Sequence, residues 1–67
     1  MIELTINGAP QRFDDSLTVS ALLERMQLAG KRVAVERNGD IVPRSQHAQT
    51  ELVSGDKLEI VVAVGGG

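Results

Sequence analysis

The chain has 67 residues, seven basic and nine acidic, with a formal net charge of −2 and no cysteine; this length allows one small core and argues against an autonomous enzyme with a deep pocket. The lack of cysteine excludes disulfides and thiolate metal sites, while the mixed charges and the single aromatic residue, Phe13, argue against nucleic-acid binding. No basic segment precedes an apolar run near the start, and the longest apolar stretch, residues 60–64, is too short to span a bilayer, so we expect a cytoplasmic protein without a membrane segment.

A β-hairpin is predicted at the start of the chain. Apolar Ile2, Leu4 and Ile6 alternate with polar neighbours, which is the period of a half-buried strand. Residues 7–8 are Asn-Gly, a common turn dipeptide, and residues 11–13 can return as a second strand.

A helix is predicted next. Thr18 is the expected N-cap, because its hydroxyl can accept a hydrogen bond from a free N–H of the first turn. Gly30 is the expected stop. Four apolar side chains share one face at the spacing i, i+3, i+4 and i+7, namely Val19, Leu22, Leu23 and Met26.

A second hairpin follows the helix. Val33 and Val35 alternate with polar or small neighbours, and the strand leads into Asn38-Gly39, a typical two-residue hairpin turn. Residues 41–42 form the short return arm, and Pro43 ends it. Residues 44–49 show no clear period and are interpreted as a loop or one helical turn.

The last strand is the most apolar part of the sequence. Residues 54–56, Ser-Gly-Asp, are a turn signal, and the strand is predicted over residues 57–64. Leu58, Ile60, Val62 and Val64 are expected to face the helix. Glu59, Val61 and Ala63 are then expected to face away from it.

The element order is hairpin, helix, hairpin, loop and strand, which predicts an α+β fold of the β-grasp, ubiquitin-like type. In this fold a mixed sheet of four to five strands wraps round one main helix, and the last strand lies parallel to the first, beside it. We expect a β-grasp domain over residues 1–64 and a flexible tail over residues 65–67. The predicted core is Ile2, Leu4, Ile6, Leu22, Leu23, Met26, Val33, Val35, Leu58, Ile60 and Val62.

The three terminal glycines carry the functional prediction. Without Cβ atoms, Gly65 and Gly66 form a narrow tail that can enter the active site of another protein and present the carboxylate of Gly67. A carboxylate is unreactive until it is activated, and ATP on a partner enzyme can convert it to an acyl adenylate. A sulfur nucleophile that replaces AMP would leave a thiocarboxylate, which carries sulfur without any cysteine.

The whole chain resembles the thiamin-biosynthesis sulfur carrier family, ThiS. The most specific matches are the run Asp-Ile-Val-Pro-Arg at residues 40–44, the Gly-Asp turn at residues 55–56 and the ending Val-Gly-Gly-Gly at residues 64–67. The resemblance implies a β-grasp protein that is not an enzyme, binds no cofactor and is adenylated at Gly67 with the ATP of a partner. It also implies three partners: a ubiquitin-activating-like adenylating enzyme, a sulfur-donating enzyme of the cysteine desulfurase type, and thiazole synthase.

Three alternatives remain open from the residues. Molybdopterin sulfur carriers share the fold and a Gly-Gly end, although they are usually longer. A ubiquitin-like protein modifier would use the same glycine end for conjugation. A passive binding module would not need the tail.

A partner-docking patch is predicted on the open face of the sheet, at the root of the tail. Exposed apolar residues are common on any protein, but these lie beside the reactive end. The predicted patch, including two polar residues at its rim, consists of Ala34, Arg37, Glu59, Val61, Ala63 and Val64.

Other polar residues are given structural interpretations. His47 is expected to be a surface loop residue, because it has no second ligand at metal-binding spacing. Asp14 and Asp15 precede the helix and are explained by its dipole, so no metal site is predicted. Pro43 and Arg44 are expected to fix a turn, with an acidic partner for Arg44 as the alternative.

Overall fold

The computed structural model describes residues 1–63, and this part of the chain forms five strands, one α-helix and one 3₁₀ turn. No helix among these residues is long and apolar enough to cross a membrane. In chain order the elements are β1 (Ile2–Ile6), β2 (Ala9–Phe13), α1 (Val19–Arg25), β3 (Val33–Arg37), β4 (Asp40–Ile41), the 3₁₀ turn (Arg44–Gln46) and β5 (Lys57–Val62).

The five strands form one mixed sheet in the order β2-β1-β5-β3-β4. The β1–β2, β3–β4 and β3–β5 pairs are antiparallel, whereas β5 runs parallel to β1. The predicted arrangement, with the last strand beside and parallel to the first, is therefore confirmed. The helix lies between the two hairpins in the chain and packs one apolar side against the sheet.

Both Asn-Gly turns bind the central strand β5. Asn7 and Asn38 have positive φ values of 51° and 52°, as a tight hairpin turn requires. The Asn7 side chain donates to the Ile60 carbonyl (3.1 Å) and accepts from the Ile60 N–H (2.7 Å). The Asn38 side chain accepts from the Lys57 N–H (2.9 Å). Each asparagine thus extends its hairpin's hydrogen bonding onto β5.

Helix α1 begins where the sequence predicts. The Thr18 hydroxyl accepts from the Ala21 N–H (3.1 Å), so the predicted N-cap is confirmed. The N–H groups of Val19 and Ser20 donate to the carbonyls of Thr50 and His47, both at 3.0 Å. Distant segments of the chain therefore satisfy the first turn of the helix.

The prediction that Gly30 ends the helix is wrong. The helix ends at Arg25, and Gln27 takes the left-handed conformation with φ 61°. The Leu28 N–H donates to the Leu23 carbonyl (2.8 Å), which closes a Schellman motif with glutamine where glycine is usual. Leu28 packs against the core in return, and this contact stabilises the early end.

The core lies between α1 and the inner face of the sheet. Most predicted members are buried, while Ile2, Met26 and Val33 are half-buried against them. Val62 is 40% exposed, so its predicted place in the core is wrong; it pairs with Val33 at the end of the sheet. The buried apolar residues are Leu4, Ile6, Leu17, Val19, Leu22, Leu23, Val35, Val42, Leu52, Leu58 and Ile60.

Candidate functional site

Strand β5 leads the chain to its glycine end. Its last paired residue is Val62, opposite Val33, and the Ala63 N–H then donates to the Arg32 carbonyl (2.9 Å). The predicted tail, Gly65, Gly66 and Gly67, and the patch residue Val64 lie outside the described residues. The structure therefore locates the root of the tail at Ala63, beside the start of β3.

The open face of the sheet carries an apolar and acidic surface near this root. Ala34 lies directly opposite Val61, and Glu36 lies opposite both Glu59 and Ile41. Val61 and Ile41 are 61% and 63% exposed, so two large aliphatic side chains lie open to solvent on this face. We name this surface the open-face patch, and it consists of Ala34, Glu36, Ile41, Glu59, Val61 and Ala63.

Sequence reasoning missed two members of the open-face patch, Glu36 and Ile41. The sequence contains the information needed to find them, because a two-residue Asn38-Gly39 turn pairs residue 36 with residue 41. Paired residues of antiparallel strands place their side chains on the same face. Ile41 therefore shares the face of Glu36 and Glu59.

Arg37 does not lie at the rim of the open-face patch, as predicted, but on the opposite face of the sheet. Strand β3 alternates, so Arg37 shares the face of buried Val35. Its Nε donates to the Asp56 carboxylate at 2.8 Å, and Asp56 is only 4% exposed. Arg37 thus joins β3 to the turn that precedes β5.

The Asp56 carboxylate accepts hydrogen bonds from three residues. Besides Arg37, it accepts from Asn38 Nδ2 (3.0 Å) and from the Val53 N–H (2.9 Å). Burial alone would raise its pKa, but the bonds from Val53, Asn38 and Arg37, with the Arg37 charge, together lower the pKa below its ordinary value. The cluster fixes the start of β5, from which the strand runs to the tail root.

His47 is buried, so the prediction of a surface loop residue is wrong. It is 6% exposed, and its Nε2 lies 3.1 Å from the Val42 carbonyl. Its own carbonyl accepts from the Ser20 N–H of α1. His47 therefore ties the 3₁₀ turn to both the second hairpin and the helix. Pro43 precedes this turn with φ −60°, which agrees with a structural role for the proline.

No metal-binding cluster is found in residues 1–63. Within that range no group of three or more His, Asp or Glu side chains comes together as a metal site would require. Asp14 and Asp15 are exposed beside the helix and share no such group.

Comparison with known proteins gives consistent results. The ThiS family model matches residues 4–67. The sulfur carrier protein ThiS of Bacillus subtilis is 40% identical over 65 residues, with 96% of this chain and 98% of that protein covered. A crystal structure of the thiamine biosynthesis protein ThiS from Geobacter metallireducens superposes with a TM-score of 0.83 at 36% identity, covering 98% of this chain and all of that one.

A thiazole synthase of Paramagnetospirillum magneticum is also similar, with 50% identity over 66 residues. The match covers 98% of this chain but only 20% of that protein. The chain therefore spans about a fifth of the length of this relative.

Proposed function

The chain belongs to the ThiS family, and on that premise we propose that it is a sulfur carrier of thiamin biosynthesis that carries sulfur on the carboxylate of Gly67. The protein is a carrier rather than a catalyst, and in this proposal it acts as a co-substrate of its partner enzymes. The observation that carries the proposal is the family match, which runs through the three glycines to residue 67. The 40% identity to a sulfur carrier along nearly its whole length supports the same conclusion.

The proposed chemistry takes place at Gly67. A carboxylate oxygen attacks the α-phosphate of ATP on the adenylating enzyme, and pyrophosphate leaves. A sulfur nucleophile from a cysteine desulfurase-type donor then adds to the acyl carbon, and AMP leaves. If the nucleophile is an enzyme persulfide, a thiol must reduce the resulting acyl disulfide to release the thiocarboxylate. ATP is used by the partner enzyme, and this chain itself needs no bound cofactor.

Thiazole synthase is the proposed acceptor of the sulfur. One fifth of a thiazole synthase is similar to this chain, so that enzyme contains a segment related to this protein in the same polypeptide. This arrangement supports thiazole synthase as the partner of this chain. A cytoplasmic location belongs to the same proposal, since adenylation needs ATP.

The open-face patch is the proposed docking surface for these partners. It lies beside the tail root, since Val61 and Ala63 belong to the last residues before the glycines. A partner that holds the tail in its active site covers neighbouring surface, and exposed aliphatic side chains there supply apolar contact area. Gly65 and Gly66 are proposed to enter the active site because their narrow backbone fits a tight channel.

Intact mass measurement tests the function directly. The protein is incubated with ATP, cysteine, the desulfurase and the adenylating enzyme of the same organism. The expected product is heavier by the replacement of one oxygen by one sulfur. Retention of sulfur in a variant that lacks Gly67 would contradict the proposed site.

Deletion of Gly67 supplies the sharpest variant. The carboxylate then moves back by about 3.3 Å or more, and misplacement of a reacting group by about 1 Å can cost on the order of a hundredfold in rate. We expect ATP–pyrophosphate exchange to be abolished and the melting temperature to stay nearly unchanged. A variant with one alanine added after Gly67 misplaces the carboxylate in the other direction, and we expect it to lose exchange as well.

A further inference from the structure

A second surface feature lies on the helix side of the sheet, away from the open-face patch. It is a cleft of about 250 Å³ between α1, the loop after it, β3 and the 3₁₀ turn. Its apolar wall includes Leu23, Leu28 and Val33. Its polar groups include Ser20, Lys31 and Arg44. The cleft thus combines an apolar wall with two cationic side chains.

The cleft is positive on a molecule whose net charge is −2. Lys31 and Arg44 face one acidic side chain, Glu24, among the described lining residues. Neither cation forms an ion pair within residues 1–63, where the ion pairs present are Arg12 with Glu3 and Arg37 with Asp56. Two cations are therefore available to an anionic group from outside.

Arg44 is held on a rigid support. The Gln46 N–H donates to the Pro43 carbonyl (2.8 Å), and the His47 N–H donates to the Arg44 carbonyl (3.2 Å). His47 itself is buried and bonded to both Val42 and Ser20. The backbone of Arg44 is thus placed before any partner arrives, which lowers the entropy lost on binding.

The cleft adjoins the root of the tail. Arg32 accepts the hydrogen bond from the Ala63 N–H, and its neighbours Lys31 and Val33 both line the cleft. A standard protein interface covers about 800 Å² on each partner, a disc of radius about 16 Å. The cleft is therefore within reach of an enzyme that binds the residues after Ala63.

We propose that the cleft receives an acidic side chain, aspartate or glutamate, of the adenylating enzyme. Lys31 and Arg44 bind the carboxylate, and the apolar wall of Leu23, Leu28 and Val33 packs against the methylene groups of the incoming side chain. The proposal rests on the proposed function, because the adenylating enzyme is the partner that must hold Gly67. A free anion must approach a molecule of negative net charge without help. Docking of the tail instead holds a carboxylate of the enzyme close to the cleft, at a high effective concentration. A protein-borne carboxylate is therefore favoured over a free anion.

The test is ATP–pyrophosphate exchange by the adenylating enzyme of the same organism, measured against the concentration of this protein. Lys31→Glu and Arg44→Glu are each expected to raise KM about tenfold, as loss of a close interfacial ion pair does, with kcat unchanged. Lys57→Glu, at the start of β5 and away from the tail root, is the matched control because it changes the net charge equally and Lys57, like Lys31 and Arg44, forms no ion pair within residues 1–63. It is expected to leave KM unchanged. Thermal melts establish whether each variant is folded. If a charge-reversal variant is not folded, the corresponding Lys31→Gln or Arg44→Gln variant is used in its place.

Three results would overturn the proposal, each in a distinct way. If the wild type supports exchange but both reversals keep its KM, the cleft does not contact the enzyme. If inorganic phosphate binds the free wild-type protein by calorimetry and both reversals abolish that binding while KM stays unchanged, the cleft is a free-anion site. If the wild type supports no exchange at all, the sulfur-carrier function itself fails.

Discussion

The two faces of strands β3 and β5 differ in the burial and charge of their residues. On the inner face Val35, Leu58 and Ile60 are buried under α1, and their apolar side chains are explained by folding alone. On the open face Val61 is 61% exposed, and Glu36 lies opposite Glu59. Like charges directly opposite each other destabilise a sheet, so folding does not explain these residues.

This difference separates residues kept for stability from residues available for function. The inner face is optimised for packing, whereas the open face keeps an exposed aliphatic side chain and a repulsive pair next to the tail root. A partner that covers this surface would explain why the exposed aliphatic side chain and the repulsive pair are present.

The largest effect is expected from truncation on the inner face. Leu58→Ala should lower the free energy of unfolding by about 2 to 5 kcal/mol, because Leu58 is 1% exposed and its removal leaves a cavity. Val61→Ala, three residues along the same strand, should change it by less than about 0.5 kcal/mol. Urea unfolding measures both, and equal losses would remove the division between the faces.

The Asp56 cluster should give the next largest effect. Asp56→Asn places amide hydrogens where the carboxylate accepts from Arg37 and Val53, so we expect a loss of about 1 to 3 kcal/mol in the free energy of unfolding. The pKa of Asp56 is lowered on folding, so its ionisation contributes stability above its ordinary pKa of 3.8. That contribution is lost as pH falls through the folded pKa.

Urea unfolding as a function of pH measures this contribution. The difference between wild type and Asp56→Asn should be constant near neutral pH and should shrink as the pH falls below 3.8. A difference that stays constant through this acid range would show that the carboxylate charge is not the source of the stability.

A charge on the open face should weaken binding rather than folding. Val61→Lys places an ammonium group in the proposed apolar contact, and we expect affinity for the adenylating enzyme to fall about tenfold, or about 1.4 kcal/mol. Val53→Lys is the matched control, because Val53 is also an exposed valine (53%) but precedes β5, at the end away from the tail root. Calorimetric titration compares the two, and equal losses would show that the open-face patch has no special role.

The smallest effect is expected from the acidic pair. Glu59→Gln should raise the free energy of unfolding by about 0.2 to 1 kcal/mol, because it removes repulsion from Glu36. The same change in a Glu36→Gln background should have no effect, since the repulsion is already absent. A double-mutant cycle by urea unfolding measures the coupling, and an equal gain in both backgrounds would rule out direct repulsion.

Local patterns in the sequence were sufficient for the framework of the fold. The Thr18 cap, the two Asn-Gly turns and the alternation of Leu58 and Ile60 depend on residues close in the chain, so each could be predicted. The end of α1 could not be predicted from Gly30, because Gln27 takes the left-handed conformation and the packing of Leu28 decides where the helix stops.

The β-grasp order of elements follows from periodicities and turns that are local in the chain, and the terminal glycines and family motifs point to Gly67 as the functional end. The surroundings of that end depend on contacts between elements, which local patterns do not contain. Arg37 lies on the inner face and binds Asp56, and His47 is buried with its carbonyl bonded to the Ser20 N–H. Both contacts join segments that are distant in the chain. The cleft of Lys31 and Arg44 arises in the same way, since no local period relates residue 31 to residue 44.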